Sequence, residues 1–211
     1  MEIIPTFCKP LTWSLLNLSE DDYKSIDETF KKYPMENKKT SSGQPYKINT
    51  SNNMYILEDP KMANIKKLIS ESFSELWHNN LHYTNDFQFT KSWFTEIKGH
   101  GALDWHKHTN CMFSGVFYFG EYFSRILFRD YNRGNNMDLK PTMHNIFNSS
   151  DWFIDPQKGL VIFWPSEIYH TVIETNMNNN DIRKSLAFNI VPIGTYGKED
   201  SQVTINYELA N

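Results

Sequence analysis

Two of the seven histidines in this 211-residue chain, His106 and His108, stand two apart in the stretch DWHKHTN. In an extended segment, side chains at i and i+2 leave the same face with Cα atoms about 7 Å apart, so both imidazoles are able to aim at one point. A strand offers two nitrogen ligands to a metal in this way. The pair alone is weak evidence, because two histidines on the solvent face of a strand read identically. A third histidine strengthens it. His170 follows GLVIFWPSEIY, which reads as a buried strand and a Pro165-Ser166 turn, and it opens a further short strand, HTVIET. Thirteen residues later Arg183 and Ser185 share a strand face in RKSLAFNIV. If HTVIET and IRKSLAFNI pair as a hairpin across NMNNND, His170 lies roughly opposite Arg183 to Ser185. Arginine grips carboxylates through two nitrogens, and a neighbouring hydroxyl adds a hydrogen bond. Histidine ligands with open coordination positions suit non-haem Fe(II), and an Arg-Ser pair suits a dicarboxylate held beside the metal.

Such groups need a rigid frame, and the pattern of apolar residues supplies one. Helical signals dominate the first third of the chain. SEDDYKSIDETFKKY starts on Ser19 as an N-cap with Asp22 three residues on, and Tyr23, Ile26, Phe30 and Tyr33 recur at helical spacing. In DPKMANIKKLISESFSELWHNN, Asp59 caps, Pro60 suits the first turn, and Met62, Ile65, Leu68, Ile69, Phe73 and Leu76 form a stripe. Residues 35–53, polar and rich in Ser, Asn and Lys, read as a loop. From about residue 87 the pattern changes to short β-type runs: FQFTKSWFTEIKG, LDWHKHTN, MFSGVFYFG, SRILFRD, DWFID, GLVIFWPS, HTVIET, RKSLAFNIVPI and QVTINYEL. Short strands punctuated by turns indicate a sandwich or barrel. The expected fold class is α+β, mainly β: one domain over 1–211, with helical support in 1–85 and a jelly-roll core in 86–211.

The ordered set of HxH, a distant His and RxS resembles the Fe(II)/2-oxoglutarate-dependent oxygenases. More closely it is similar to a subfamily of 2-oxoglutarate-Fe(II) oxygenases known from bacterial and phage genomes. The resemblance is carried by SWFTEIKGHGALDWHKHTNCMFSGVFYFG, GLVIFWPSEIYH and RKSLAFNIVP, over residues ~90–193. It implies a double-stranded β-helix of cupin-like jelly-roll type, with Fe(II) as metal, 2-oxoglutarate as co-substrate and O2 as oxidant. It implies oxidative decarboxylation to succinate and CO2, coupled to hydroxylation of a prime substrate. It makes His106 and His170 iron ligands and has Arg183, helped by Ser185, bind the distal carboxylate of 2-oxoglutarate. His108 falls where most of the superfamily carries Asp or Glu, which makes the expected metal set His106, His108 and His170. Three neutral ligands leave the iron more positive than two histidines and a carboxylate.

Further candidates for the co-substrate site are Asn110, two beyond the HxH, Tyr118 on the following strand, and Asn189, which shares the parity of Arg183 and Ser185. Asp104 is expected only behind the metal ligands, because the family order puts its acid after the first histidine. Trp93, Trp105 and Trp164 read as core or cavity wall, and His78, His82, His100 and His144 as surface or loop residues. The long polar stretch YNRGNNMDLKPTMHNIFNSSDW is positioned to gate or bind substrate.

Composition narrows the partners. A net charge of −4 carries no general footprint for nucleic acid or an anionic membrane. No window approaches the roughly 18 apolar residues of a membrane span, and the N-terminus lacks the pattern of a signal peptide. Cys8 and Cys111 match no metal or redox spacing and read as free thiols of a reducing compartment. A cytoplasmic location is expected, with 2-oxoglutarate and an unidentified prime substrate as partners. Two other readings stay open: a three-histidine cupin-like metal dioxygenase without 2-oxoglutarate, and a non-catalytic binding module with a vestigial metal site.

Overall fold

The computed structural model describes residues 8–39, 45–99, 103–131, 140–173, 178 and 180–208. Helix α1 (Glu20–Lys32) starts where the sequence predicts. The Ser19 hydroxyl accepts from the Asp22 N–H at 3.2 Å, and the Asp22 carboxylate accepts from the Ser19 N–H at 2.9 Å. This reciprocal cap satisfies two amides that have no partner inside the helix. Helix α2 (Ala63–Ser74) is preceded by a 3-10 turn at Pro60–Met62, with the Asp59 side chain accepting from the Lys61 N–H. A π-helical turn, Glu75–Asn80, extends α2. Ile65, Ile69, Phe73 and Trp77 line its buried face.

Two antiparallel sheets hold the strands β1 (Thr12–Leu15), β2 (Met35–Lys39), β3 (Pro45–Ser51), β4 (Asp86–Lys98), β5 (Phe113–Tyr118), β6 (Ile126–Arg129), β7 (Asp151–Ile154), β8 (Leu160–Pro165), β9 (Tyr169–Val172), β10 (Ile182–Tyr196) and β11 (Val203–Ile205). The major sheet runs β1-β8-β5-β10-β4-β3-β2, with β11 added to the end of β10; the minor sheet runs β7-β6-β9. Alternation along each central strand assigns its side chains to opposite layers. On β10, Leu186, Phe188 and Ile190 pack with α1 and α2 in an aromatic-rich core, alongside Phe117 of β5 and Phe163 of β8. The intervening residues face the minor sheet, where Val116, Tyr118, Ile162 and Trp164 meet Ile126 and Phe128.

Two local features keep that division sharp. The pairing of β10 with β4 slips at Asn189/Ile190, where Lys91 and Phe89 are successive partners and Thr90 is the extra residue. This bulge reverses the parity of β4, so Lys91 and Trp93 line the interior between the sheets whereas Phe89 joins the helical core. Gly115 on β5 gives the second. A Cβ there would lie 2.3 Å from a ring carbon of Phe188, so the ring needs the missing side chain in order to lie on the strand.

Three expectations need correction. Residues 35–53 are not simply a loop: β2 and β3 form an antiparallel pair that extends the major sheet. Their polar sequence reflects the sheet's edge, where β2 has no outer neighbour among the described residues. The N-terminal 85 residues therefore supply strands as well as helices, including β1 on the opposite flank. The predicted hairpin between HTVIET and β10 does not form. Both edges of β10 are already occupied, by β4 and β5, and β9 pairs with β6. Residues 174–177 and 179, from the end of HTVIET into NMNNND, lie outside the described residues, like 132–139 of the long polar stretch. Among those described, no helix is long and apolar enough to cross a membrane.

Candidate metal centre

The segment holding His106 and His108 is an extended strap laid along β9, not a strand. One bridge defines it: His106 N–H donates to the His170 carbonyl at 3.0 Å and His170 N–H returns the bond at 2.9 Å. Leu103 N–H to the Val172 carbonyl at 3.2 Å and His108 N–H to the Ser166 carbonyl at 3.1 Å fasten the strap on either side. The backbone is extended as the sequence suggests, but too few amides are paired for a continuous ladder. His106 and His108 keep their common face and meet His170 directly.

The imidazoles of His106, His108 and His170 have ligand atoms all within 4.8 Å of one another, and among the described residues they are the cluster able to hold a metal ion. Each Nδ1 has an oxygen partner: the Asp104 carbonyl at 2.8 Å for His106, the Asn189 amide oxygen at 2.6 Å for His108, and the Ile168 carbonyl at 3.3 Å for His170. Such acceptors favour the proton on Nδ1 and leave Nε2 with its lone pair available to a metal. His170 is buried. Burial, reinforced by the charges His106 and His108 would carry, holds its ring well below the usual imidazole range, so it is ready to coordinate as the neutral base.

The three rings border a cavity of about 470 Å³ between the sheets. Arg183 and Ser185 line it too and are buried, 2% and 1% exposed. One Arg183 Nη–H donates to the Tyr118 hydroxyl at 3.2 Å, whereas its Nε–H has no partner. No carboxylate lies within ion-pair distance of Arg183 among the described residues. A buried cation without a counter-charge is costly. It fits a site whose anion arrives with a ligand, and a dicarboxylate beside three neutral imidazoles satisfies both halves of the arrangement. The residues present thus fit Fe(II) and 2-oxoglutarate, with the difference that no carboxylate joins the ligand cluster. A second cavity of similar volume, between residues 8–11 and strands β6 and β7, is lined by none of these groups.

The family model described as "Putative 2OG-Fe(II) oxygenase" matches residues 91–189, the span that contains all three histidines and the Arg183-Ser185 pair. The match takes in just under half of the chain and makes it similar to the 2OG-Fe(II) oxygenases. Solved oxygenases share its fold. An oxidoreductase of the 2OG-Fe(II) oxygenase family from Burkholderia pseudomallei is 14% identical, with a TM-score of 0.58 over 80% of this chain and 78% of that one. HygX from Streptomyces hygroscopicus, solved with nickel, 2-oxoglutarate and hygromycin B bound, is 6% identical, with a TM-score of 0.58 over 87% and 83%. A prolyl-4-hydroxylase from Pseudomonas putida is 11% identical, with a TM-score of 0.55 over 85% and 91%. At these identities the likeness is one of fold, the double-stranded β-helix. No curated protein matches the chain.

The remaining candidates separate. Asn110 is exposed, has φ of 60° and lies outside the cavity lining, which corrects its expected place beside the co-substrate. The chain turns there, and Asn tolerates the left-handed conformation the turn requires. Tyr118 is fully buried and backs Arg183 instead of lining the cavity; burial raises its phenol, which stays protonated. Asn189 lines the cavity as expected, but its amide oxygen is engaged by His108.

Sequence reasoning missed the support around that amide. The Ser114 hydroxyl lies 3.0 Å from His108 Nδ1, 3.3 Å from Asn189 Oδ1 and 2.7 Å from Ser166 Oγ. The sequence offers only that Ser114 is a small polar residue in a largely apolar strand; its pairing with Asn189 comes from the register of β5 on β10. Trp93 and Trp164 are cavity wall, each with its ring against His108. Trp105 instead carries the guanidinium of Arg129 at 4.5 Å. His78 and His144 are exposed or at a helix end, His82 sits at positive φ, and His100 lies outside the described residues.

Proposed function

We propose that this oxygenase holds Fe(II) through Nε2 of His106, His108 and His170, binds 2-oxoglutarate through Arg183 and Ser185, and hydroxylates a prime substrate with release of succinate and CO2. Iron would supply, when bound, the activation of O2, to whose four-electron reduction 2-oxoglutarate and the prime substrate would each contribute two electrons. Everything else is the work of this chain's own side chains. The Asp104 carbonyl, the Asn189 amide oxygen and the Ile168 carbonyl orient the rings of His106, His108 and His170 by accepting hydrogen bonds from their Nδ1–H groups. Arg183 carries the charge that selects a dicarboxylate, with Tyr118 steadying its guanidinium from behind. Val116, Ile126, Trp164 and Val172 give the cavity apolar walls that limit water around the reacting groups. The observation that carries the reading is the buried, uncompensated Arg183 beside three convergent imidazoles. A cytoplasmic site of action fits two cysteines held outside any disulfide.

Anaerobic calorimetry with Mn(II) as a redox-inert stand-in tests the assignment. Changing any one of the three histidines to Ala should weaken metal binding by at least tenfold while the fold persists. His108→Asp should retain the metal and extend binding to lower pH, because a carboxylate deprotonates below the imidazole range. Full metal affinity in His108→Ala at every pH would reduce the ligand set to two histidines.

A further inference from the structure

A side-chain amide donates from one end and accepts at the other. For Asn189 the ligand role of His108 decides which end faces where. A ring that coordinates through Nε2 carries its proton on Nδ1, so the amide atom 2.6 Å from that nitrogen must be the acceptor, Oδ1. The Ser114 hydroxyl donates to the same oxygen at 3.3 Å. The Nδ2 hydrogens are thereby turned away from the histidine. Asn189 is half-buried and lines the cavity, and its Nδ2 has no partner among the described residues. Unlike the Arg183 Nε–H, that nitrogen is not sealed from solvent. It is a donor open to whatever enters.

Its place in the cavity narrows what that is. Arg183 and Asn189 lie six residues apart on β10, about 20 Å at roughly 3.3 Å per extended residue. That is more than an arginine side chain and a five-carbon diacid span together, so Asn189 stands at the end of the cavity left for the prime substrate. Lys91, its partner in register on β4, has its ammonium engaged, 2.5 Å from the Tyr55 hydroxyl and 4.2 Å from the centre of that ring. Trp93, two residues along the same face of β4, sets its ring 5.7 Å from that of His108. Its partner in register is Ala187, whose small side chain leaves the floor beside the indole low. This end of the cavity thus offers an uncharged, unengaged N–H donor next to a flat apolar wall. We propose that Asn189 selects the prime substrate, its Nδ2–H donating to the carbonyl-type oxygen of a neutral planar group laid against Trp93. The proposal rests on the oxygenase reading and adds to it a substrate class and a residue that chooses it.

The test uses the full chain loaded with Mn(II) and saturating 2-oxoglutarate, and two neutral probes of one shape. Acetophenone carries a carbonyl oxygen; α-methylstyrene carries a methylene in its place. Broadening of the probe's proton resonances by Mn(II), followed as a titration, gives a dissociation constant for binding beside the metal. Asn189→Asp keeps an oxygen on His108 and exchanges the cavity-facing donor for an acceptor. In it the affinity ratio of acetophenone to α-methylstyrene should fall by about fivefold or more, while Mn(II) and 2-oxoglutarate stay bound. Asn189→Ala, read at saturating Mn(II), should lower the ratio by about twofold or more, since the donor is lost but nothing repels the carbonyl. Trp93→Leu should weaken both probes together and leave their ratio unchanged. The proposal is overturned if the ratio is unchanged in both Asn189 variants, if the wild type does not broaden acetophenone, or if Trp93→Leu binds both probes as the wild type does. Loss of 2-oxoglutarate binding in Asn189→Asp also overturns it, by assigning the N–H to the co-substrate. Failure of the wild type to bind 2-oxoglutarate before any probe is added would instead bring down the oxygenase reading, and the substrate proposal with it.

Discussion

On β10, Leu186, Phe188 and Ile190 face the helices while Arg183, Ser185 and Asn189 face the cavity, and all but Asn189 are buried. The first set is buried among complementary partners: Phe188 lies 5.4 Å from the Phe89 ring and 5.8 Å from Phe163. The second holds polar groups for which the protein supplies incomplete partners, most clearly the Arg183 Nε–H. One strand thus alternates between residues that stabilise and residues that wait for a ligand. Because a strand's faces are independent, mutations on them should separate stability from binding.

The largest effect belongs to the helical face. Phe73 of α2 is fully buried and has the rings of Trp77, Phe87, Phe113 and Phe163 within 5.7 Å. Phe73→Ala removes that contact surface and leaves a cavity, at a cost of about 3–5 kcal/mol. Urea unfolding should register it, while the folded fraction keeps its Mn(II) affinity. On the cavity face the pattern should reverse. Arg183→Met should lower 2-oxoglutarate affinity by at least tenfold, since a hydrogen bond to a charged group contributes about 1.5–3 kcal/mol. The same variant, free of ligand, should be no less stable than wild type, because an uncompensated buried charge is replaced by an apolar side chain of similar length. A clear loss of ligand-free stability would show that Arg183 is structural, contrary to the contrast between the faces.

Next comes the amide behind the metal ligands. Asn189→Ala removes the oxygen that fixes the His108 ring, and metal affinity should fall by roughly tenfold, the lower end of the range for such supports. Asn189→Asp keeps an acceptor and makes it stronger, so it should recover most of that loss in the same Mn(II) titration. Equal behaviour of the two variants would mean that Ser114 alone suffices to hold the ring.

The two faces also differed in how well they could be read from the sequence. Helical spacing and capping made α1 and α2 legible, and the apolar runs made β4, β5, β8 and β10 so, because local chemistry and final environment agree there. The three histidines and the Arg183-Ser185 pair were legible by type and spacing. Their route to one another was not, since it depends on which strand occupies the edges of β10, a property of the assembled sheet. β2 and β3 were hidden by polar edge residues, and β1 by its brevity. Asn110 misled because parity was extended through a residue at which the chain turns. The Ser114 hydroxyl needed register before it meant anything.

The smallest predicted effect concerns a buried charge on the other side of the comparison. The Asp59 side chain is 2% exposed, like Arg183 in burial, but fully provided for. It accepts from Lys32 Nζ at 2.6 Å, the Tyr33 hydroxyl at 2.8 Å and the Lys61 N–H at 3.0 Å. Burial pushes its carboxyl upward, but the hydrogen bonds from Lys32, the Lys61 amide and Tyr33 outweigh it and hold the group below the usual Asp range. A carboxyl whose pKa is lower folded than unfolded contributes stability above about pH 4, and loses it as pH falls through the folded value. Asp59→Asn keeps the shape and removes the charge that faces the half-exposed Lys32, so it should cost about 1 kcal/mol at neutral pH, the upper end for an ion pair with a solvent-exposed partner. The gap between the variant and wild type should then narrow at pH 3, where the wild-type carboxylate loses its advantage. Paired urea titrations at the two pH values measure this directly. A gap that stays constant would mean that the geometry of the cap matters and its charge does not, and a satisfied buried ion would then differ from Arg183 in position alone.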